Sequence, residues 1–276
     1  YNGSLFGFAI INATNPQCIF IEDSCKTTPC TLAITATKDT AICKGSSLQL
    51  SASGAVTYQW NASPYLSNLT IANPVANPPV TTSFIVTGTD ALGCVDTDTV
   101  VVTVRNLPVV TASSDTAICG NGAVQLSVKP NTGGTYIWTP STGLNSTNIS
   151  NPVATINATT EYFVTYTDAN GCKNLDSVTI TVNAVPTVST RSDTSICSGA
   201  SITLITTGTG NTYAWSPPTG LNNVNTKSPI AKPSITTKYI VTTTSAQGCT
   251  NKDSVIVTVW PIPQVNANGD TTICGS

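Results

Sequence analysis

The chain has 276 residues, of which 40% are apolar and only 9% charged, with a mean hydropathy of +0.12. Its polar surface must come from neutral side chains, and the 49 threonines, with Ser, Asn and Gly, belong to strands and turns and exclude an all-helical protein. Eleven Lys and Arg against 13 Asp and Glu, a net charge of −2, leave no electrostatic footprint for a phosphate backbone or an anionic lipid surface, which argues against nucleic acid as a partner.

The longest apolar runs, such as Phe8 to Ile11 and Val100 to Val102, fall far short of the roughly 20 residues that cross a bilayer. Tyr1 begins no signal peptide, so the chain is expected to be a mature or internal piece of a larger protein.

A period of about 77 residues organises the sequence. Asp39-Thr40-Ala41-Ile42-Cys43 recurs at Asp115–Cys119, Asp193–Cys197 and Asp270–Cys274, spaced 76, 78 and 77. Trp60, Trp138 and Trp215 keep the rhythm, as do Gly93-Cys94, Gly171-Cys172 and Gly248-Cys249. Cys18 precedes Cys43 by 25 residues, as Cys94, Cys172 and Cys249 precede Cys119, Cys197 and Cys274. Residues 1–34 are therefore expected to be the C-terminal part of a preceding repeat, 35–107, 108–186 and 187–263 three complete repeats, and 264–276 the first strand of a following one.

Within the second copy, Val124–Val128, Thr135–Trp138, Tyr162–Thr167 and Ser177–Val182 alternate or are β-branched and aromatic, which predicts strands. Asn131–Gly134 breaks the chain, and Asp168-Ala169-Asn170-Gly171 predicts a hairpin between the last two strands. About seven short strands per copy predict an all-β protein of tandem Ig-like or PKD-like sandwiches packed on the single Trp. The junctions Asn106-Leu107-Pro108, Ala184-Val185-Pro186 and Pro261-Ile262-Pro263 carry proline, which stiffens a short connector and suggests an extended rod.

Several further motifs repeat: Tyr213 to Pro217 with Gly220-Leu221-Asn222, Asn151-Pro152-Val153-Ala154, Thr159 to Tyr162, and Thr167 to Cys172. Together they resemble the Ig-like and PKD-like repeats of Bacteroidota surface adhesins, among them gliding adhesins exported by the type IX secretion pathway. The resemblance covers the whole chain and implies an extracellular, cell-surface location. The first copy departs from it with Gln59-Trp60-Asn61 and no Gly-Leu, the third has Ser245 in place of Asp90 and Asp168, and Cys25 and Cys30 have no counterpart.

Ten cysteines with no His and no Met imply structural disulfides made in an oxidising compartment. A zinc site is disfavoured, since no His is available and no Cys-x-x-Cys occurs. Three connectivities are open. One bonds each copy internally, Cys43 to Cys94, Cys119 to Cys172 and Cys197 to Cys249, which requires a kinked first strand. A second bonds neighbours, Cys43 to Cys172 and Cys119 to Cys249, because opposite poles of a sandwich stand roughly 30 Å apart while a bridge needs alpha carbons at ~5.5 Å. A third pairs cysteines 25 apart, from Cys18 with Cys43 to Cys249 with Cys274. Cys25 and Cys30 form a local loop in each.

The carboxylates sit mostly beside turns, and Asp39, Asp115, Asp193 and Asp270 suit Asx turns. The sharper alternative is calcium at a junction, with Asp115 converging on Asp90 or Asp96, because hard cations gather several oxygens. No other cofactor is expected, and without His there is little for general acid–base catalysis. The repeated Trp residues read as core anchors, whereas Trp260 stands where Arg105 and Asn183 stand and is expected to pack on the next repeat. Thr40, Thr99, Thr116, Ser177, Ser254 and Thr271 each follow Asp in a pattern similar to the O-glycosylation sequence of secreted Bacteroidota proteins. Asn61, Asn145 and Asn157 would matter only in a eukaryotic secretory route.

The sequence thus points to a non-enzymatic stalk or filament segment of a surface adhesin, serving adhesion or gliding by projection and by carrying load. Its partners would be neighbouring repeats, surface polysaccharide, or other adhesin or filament subunits. The alternative is a carbohydrate-binding or accessory module of a secreted enzyme, which would present a row of exposed Trp or Tyr.

Overall fold

The computed structural model describes residues 30–264. Cys18, Cys25, Thr271 and the motif Asp270–Cys274 lie outside the described residues. Within them the chain forms 24 strands and no helix.

The first copy holds β1 (Thr35–Ala36), β2 (Thr40–Cys43), β3 (Leu48–Gln49), β4 (Ala52–Ser53), β5 (Thr57–Trp60), β6 (Val75–Ala76), β7 (Thr82–Thr89) and β8 (Val95–Arg105). The second holds β9 (Thr111–Ala112), β10 (Thr116–Cys119), β11 (Gly122–Gln125), β12 (Val128–Lys129), β13 (Gly134–Thr139), β14 (Val153–Ile156), β15 (Thr160–Asp168) and β16 (Lys173–Asn183). The third holds β17 (Val188–Thr190), β18 (Thr194–Cys197), β19 (Ile202–Thr203), β20 (Thr206–Gly208), β21 (Thr212–Ser216), β22 (Ile230–Ala231), β23 (Thr237–Thr244) and β24 (Thr250–Trp260).

One topology recurs. A four-stranded sheet has the order β2-β8-β7-β5, repeated as β10-β16-β15-β13 and β18-β24-β23-β21, and two-stranded pairs such as β3-β6 and β1-β4 complete each copy. There are eight strands per copy where about seven were expected, because the first strand is broken. Its opening half, β1, pairs antiparallel with β4, and its second half, β2, crosses to the other sheet and pairs parallel with β8.

The chain divides into two compact units, one comprising the residues up to Thr111 with Lys129–Ile137 and Thr165–Leu175, the other Ala112–Val128, Trp138–Val164 and the residues from Asp176 onward. In the first unit the period-two burial of β7 and β8 turns Phe84, Val86, Val100 and Val102 inward onto Trp60 and Leu50. In the second, Tyr239, Val241, Val255 and Val257 pack with Trp215 and Leu204 in the same way. The repeated Trp residues are 1%, 1% and 4% exposed, so all three are core residues. Burial leaves each indole N–H needing an acceptor, and the loop eleven residues on supplies it: Trp60 Nε1 donates to Ile71 O at 2.9 Å, Trp138 to Ile149 O at 2.9 Å and Trp215 to Thr226 O at 3.1 Å.

Tyr162 and Tyr239 fill equivalent core positions and donate their hydroxyls to Thr142 O at 2.6 Å and Thr219 O at 2.8 Å. Phe84 occupies that position in the first copy, which lacks the Gly-Leu turn found in the others. Burial pushes the phenols of Tyr162 and Tyr239 above their usual pKa, and it does the same for Tyr136, helped by neighbouring Tyr166.

Trp60→Ala is expected to cost about 3–5 kcal/mol, the range for removing a buried aromatic, read as a lowered midpoint in denaturant unfolding. Because the folded phenols ionise later than unfolded ones, stability is level below the ordinary value of 10.0 and falls as pH rises past it. Unfolding midpoints measured from pH 8 to 12 should show that fall, and Tyr162→Phe should make it shallower.

Candidate functional site

The parallel pairing of first and last strands fixes where each cysteine sits. Thr40 faces Val102 and Cys43 faces Arg105, so Cys43 lies at the end of β8 from which the chain leaves the copy. Cys119 faces Asn183 and Cys197 faces Trp260 in the same register. In each copy the next residue donates to the facing carbonyl: Lys44 N to Arg105 O, Gly120 N to Asn183 O and Ser198 N to Trp260 O, all at 2.8 Å. Cys94, Cys172 and Cys249 instead precede the first residue of the last strand, at the opposite pole.

Aspartates hold the broken first strand against the last one. Asp39 Oδ1 accepts from Val101 N, Asp115 Oδ1 from Thr179 N and Asp193 Oδ1 from Ile256 N, each at 2.8 Å. These bonds join residues more than 60 apart, so the expected local Asx-turn role of Asp39, Asp115 and Asp193 gives way to a clamp between strands. A second set clamps the opening half: Asp98 Oδ2 accepts from Ala36 N at 2.8 Å, Asp176 from Ala112 N at 2.8 Å and Asp253 from Thr190 N at 2.7 Å. Their Oδ1 atoms accept the N–H of the residue that follows. Sequence reasoning passed over this second set, although each member stands four residues after a hairpin cysteine.

The hairpins carry true Asx turns. Asp90 Oδ1 accepts from Leu92 N and Cys94 N at 2.8 Å each, and Asp168 Oδ1 from Asn170 N and Cys172 N at 2.8 and 2.9 Å. Ser245 Oγ accepts from Cys249 N at 3.1 Å. This is why an oxygen-bearing side chain sits four residues before the hairpin cysteine: it pins the cysteine's own backbone.

An internal bond in each copy is ruled out by distance. Cys43 and Cys94 sit at opposite ends of β8, an 11-residue strand, which spans about 33 Å at the usual strand rise. The bonds instead join neighbouring copies. Cys43 is bonded to Cys172 and Cys119 to Cys249, both with alpha carbons 5.5 Å apart and across sequence separations of 129 and 130 residues. The 25-residue scheme fails with them. Around these bonds the connectors are held as well, Asn174 Nδ2 donating to Pro108 O at 2.9 Å and Asn251 Nδ2 to Pro186 O at 3.0 Å.

Two expectations about the cysteines are corrected. Cys30 is bonded to Cys94, with alpha carbons 5.6 Å apart, and not to Cys25. It lies 64 residues before its hairpin cysteine, as Pro108 does in the next copy, so it occupies the connector that runs beside the hairpin; Ile34 N donates there to Asp96 Oδ2 at 2.9 Å. Cys197, expected in a disulfide, is an exposed free thiol among the described residues.

The calcium candidates Asp90, Asp96 and Asp115 each accept separate backbone N–H groups. Among the described residues no group of three or more His, Cys, Asp or Glu side chains is placed to hold a metal ion. Of the candidate glycosylation residues, Thr99 and Thr116 are exposed and Thr40, Ser177 and Ser254 half-buried. The Asp before each of these five is one of the strand clamps, so the repeated Asp-Ser/Thr pair has a structural cause. Among the described residues, the exposed aromatics Tyr65, Phe163 and Trp260 occupy unrelated positions in the three copies and make no repeated row.

These features define a protein built from disulfide-joined Ig-like sandwiches. The family model described as an Ig-like domain, CHU_C associated, matches residues 106–186, the second copy. No curated protein sequence matches the chain. Among solved structures, it is similar to a three-Ig fragment of the titin I-band at 11% identity and a TM-score of 0.39, covering 82% of this chain and 98% of that one. It is also similar to an adhesin that helps an Antarctic bacterium bind ice, at 16% identity and a TM-score of 0.33, covering 82% and 74%. The eight N-terminal Ig domains of Down Syndrome Cell Adhesion Molecule match at 10% identity and a TM-score of 0.40, covering 82% and 36%.

Asp98→Ala removes acceptors for both Ala36 N and Thr99 N, and is expected to destabilise the first sandwich by about 1–3 kcal/mol. Denaturant unfolding should place Asp98→Asn, which keeps one carbonyl oxygen, between Asp98→Ala and the parent.

Proposed function

We propose that this chain is a tension-carrying segment of an extracellular surface protein, a stalk or filament that projects an adhesive element or carries force to a substratum. Disulfides and an Ig-like domain suit an extracellular setting. The repeated Trp residues serve the cores, which favours a structural spacer over a glycan-binding module.

The observation that carries this reading is the covalent route through the chain. From Cys30 it passes by disulfide to Cys94, along β8, the connector, β9 and β10 to Cys119, and by disulfide to Cys249 and β24. This route uses only first and last strands and the connectors between them, which are already extended. Residues 31–93 and 120–248 hang beside it. Opening a sandwich therefore releases almost no length.

Single-molecule pulling between the two chain ends tests this. The oxidised protein should show no unfolding step, while the reduced protein should show steps approaching 250 Å per copy, at about 3.4 Å per residue. Full-length steps in the oxidised protein would refute the proposal. Glycan binding by the isolated protein, lost on replacing an exposed aromatic, would favour the carbohydrate-binding alternative.

A further inference from the structure

Among the described residues the disulfide series leaves one strand-end cysteine, Cys197, unbonded. Each strand-end cysteine with a hairpin cysteine of a following copy among the described residues is bonded to it, as Cys43 and Cys119 are. Cys30 closes the first hairpin. Cys197 has the same parallel register and the same following N–H bond as Cys43 and Cys119, yet its thiol is free. The surface beside it differs too. Leu107 and Val185, in the connectors that lead into described copies, are 39% and 42% exposed, whereas their counterpart Ile262 is 61% exposed and Trp260, directly opposite Cys197, is 59% exposed.

We infer that Cys197 is the attachment point for the hairpin cysteine of a fourth Ig-like copy, the one whose first-strand motif begins at Asp270, with Trp260 and Ile262 as the surface that copy covers. The two bonds already present identify the occupant: a separation of 129 or 130 residues leads from Cys197 to the hairpin of the next copy in the series. Pro263 O is the counterpart of Pro108 O and Pro186 O, which accept from a side chain two residues after the hairpin cysteine. In the bond-forming step the two thiols lose two protons and two electrons to the disulfide of a dithiol oxidoreductase, which leaves as the dithiol. The inference does not depend on the tension-carrying role.

The test completes the fourth copy by replacing Gly275-Ser276 with a duplicate of residues 120–186, which places a hairpin cysteine 130 residues after Cys197, the separation of Cys119 and Cys249. Non-reducing peptide mapping should join the Cys197 peptide to the new hairpin peptide, and maleimide labelling of Cys197 should drop more than tenfold relative to the parent. Cys197→Ser in the extended chain should leave the new hairpin cysteine as a free thiol. Cys197 recovered free, or bonded to Cys274, in a folded extended chain would overturn the inference. Mapping of the native secreted protein stands beside this in case the added copy does not fold, and a free Cys197 there would overturn it equally.

Discussion

The parallel pairing of the first strand with the last is the constraint on which the rest depends. A first strand lying antiparallel to the last would put its final cysteine beside the hairpin cysteine of its own copy, and each sandwich would close on itself. Because β2 runs alongside β8 in the same direction, Cys43 is carried to the far pole with Arg105. From there it can reach only the next copy. The chain must cross between sheets to achieve this, and the crossing is where the strand breaks and where Asp39 clamps it to Val101.

That clamp explains how the few charges are used. All nine aspartates among the described residues accept at least one backbone N–H, whether from the last strand, the first strand or a hairpin. A carboxylate accepts such bonds more strongly than a neutral oxygen does, and a thin two-layer sandwich has many strand-end N–H groups with no ladder partner. The aspartates thus serve the architecture, in a chain whose other polar residues are mostly threonine, serine and asparagine.

Much of this was legible in the sequence because the repeat made it so. Equal spacing of Trp60, Trp138 and Trp215 marked the cores, and the alternation in Tyr162–Thr167 and Ser177–Val182 marked the two longest strands of the second copy. The distance argument against internal disulfides was available as well, since it needed only strand length and the positions of two turns. What stayed hidden was the two-residue β1, too short to show a period, and the non-local reach of Asp39, whose Asp-Thr context looks like an ordinary turn. Asp98, Asp176 and Asp253 were masked by their own neighbours, because a repeated Asp-Ser/Thr pair also resembles a modification signal. Cys30 was paired with Cys25 by proximity in sequence, whereas its connector position lays it against a hairpin 64 residues on.

The bridges from Cys30 to Cys94, Cys43 to Cys172 and Cys119 to Cys249 overlap along the chain, each starting before the previous one ends. A protease that hydrolyses any one peptide bond between Cys30 and Cys249 therefore leaves a single covalent molecule, since a bridge spans every such cut. Damage outside the cell, where no ribosome can repair it, would have to strike this stretch at least three times before anything downstream was shed.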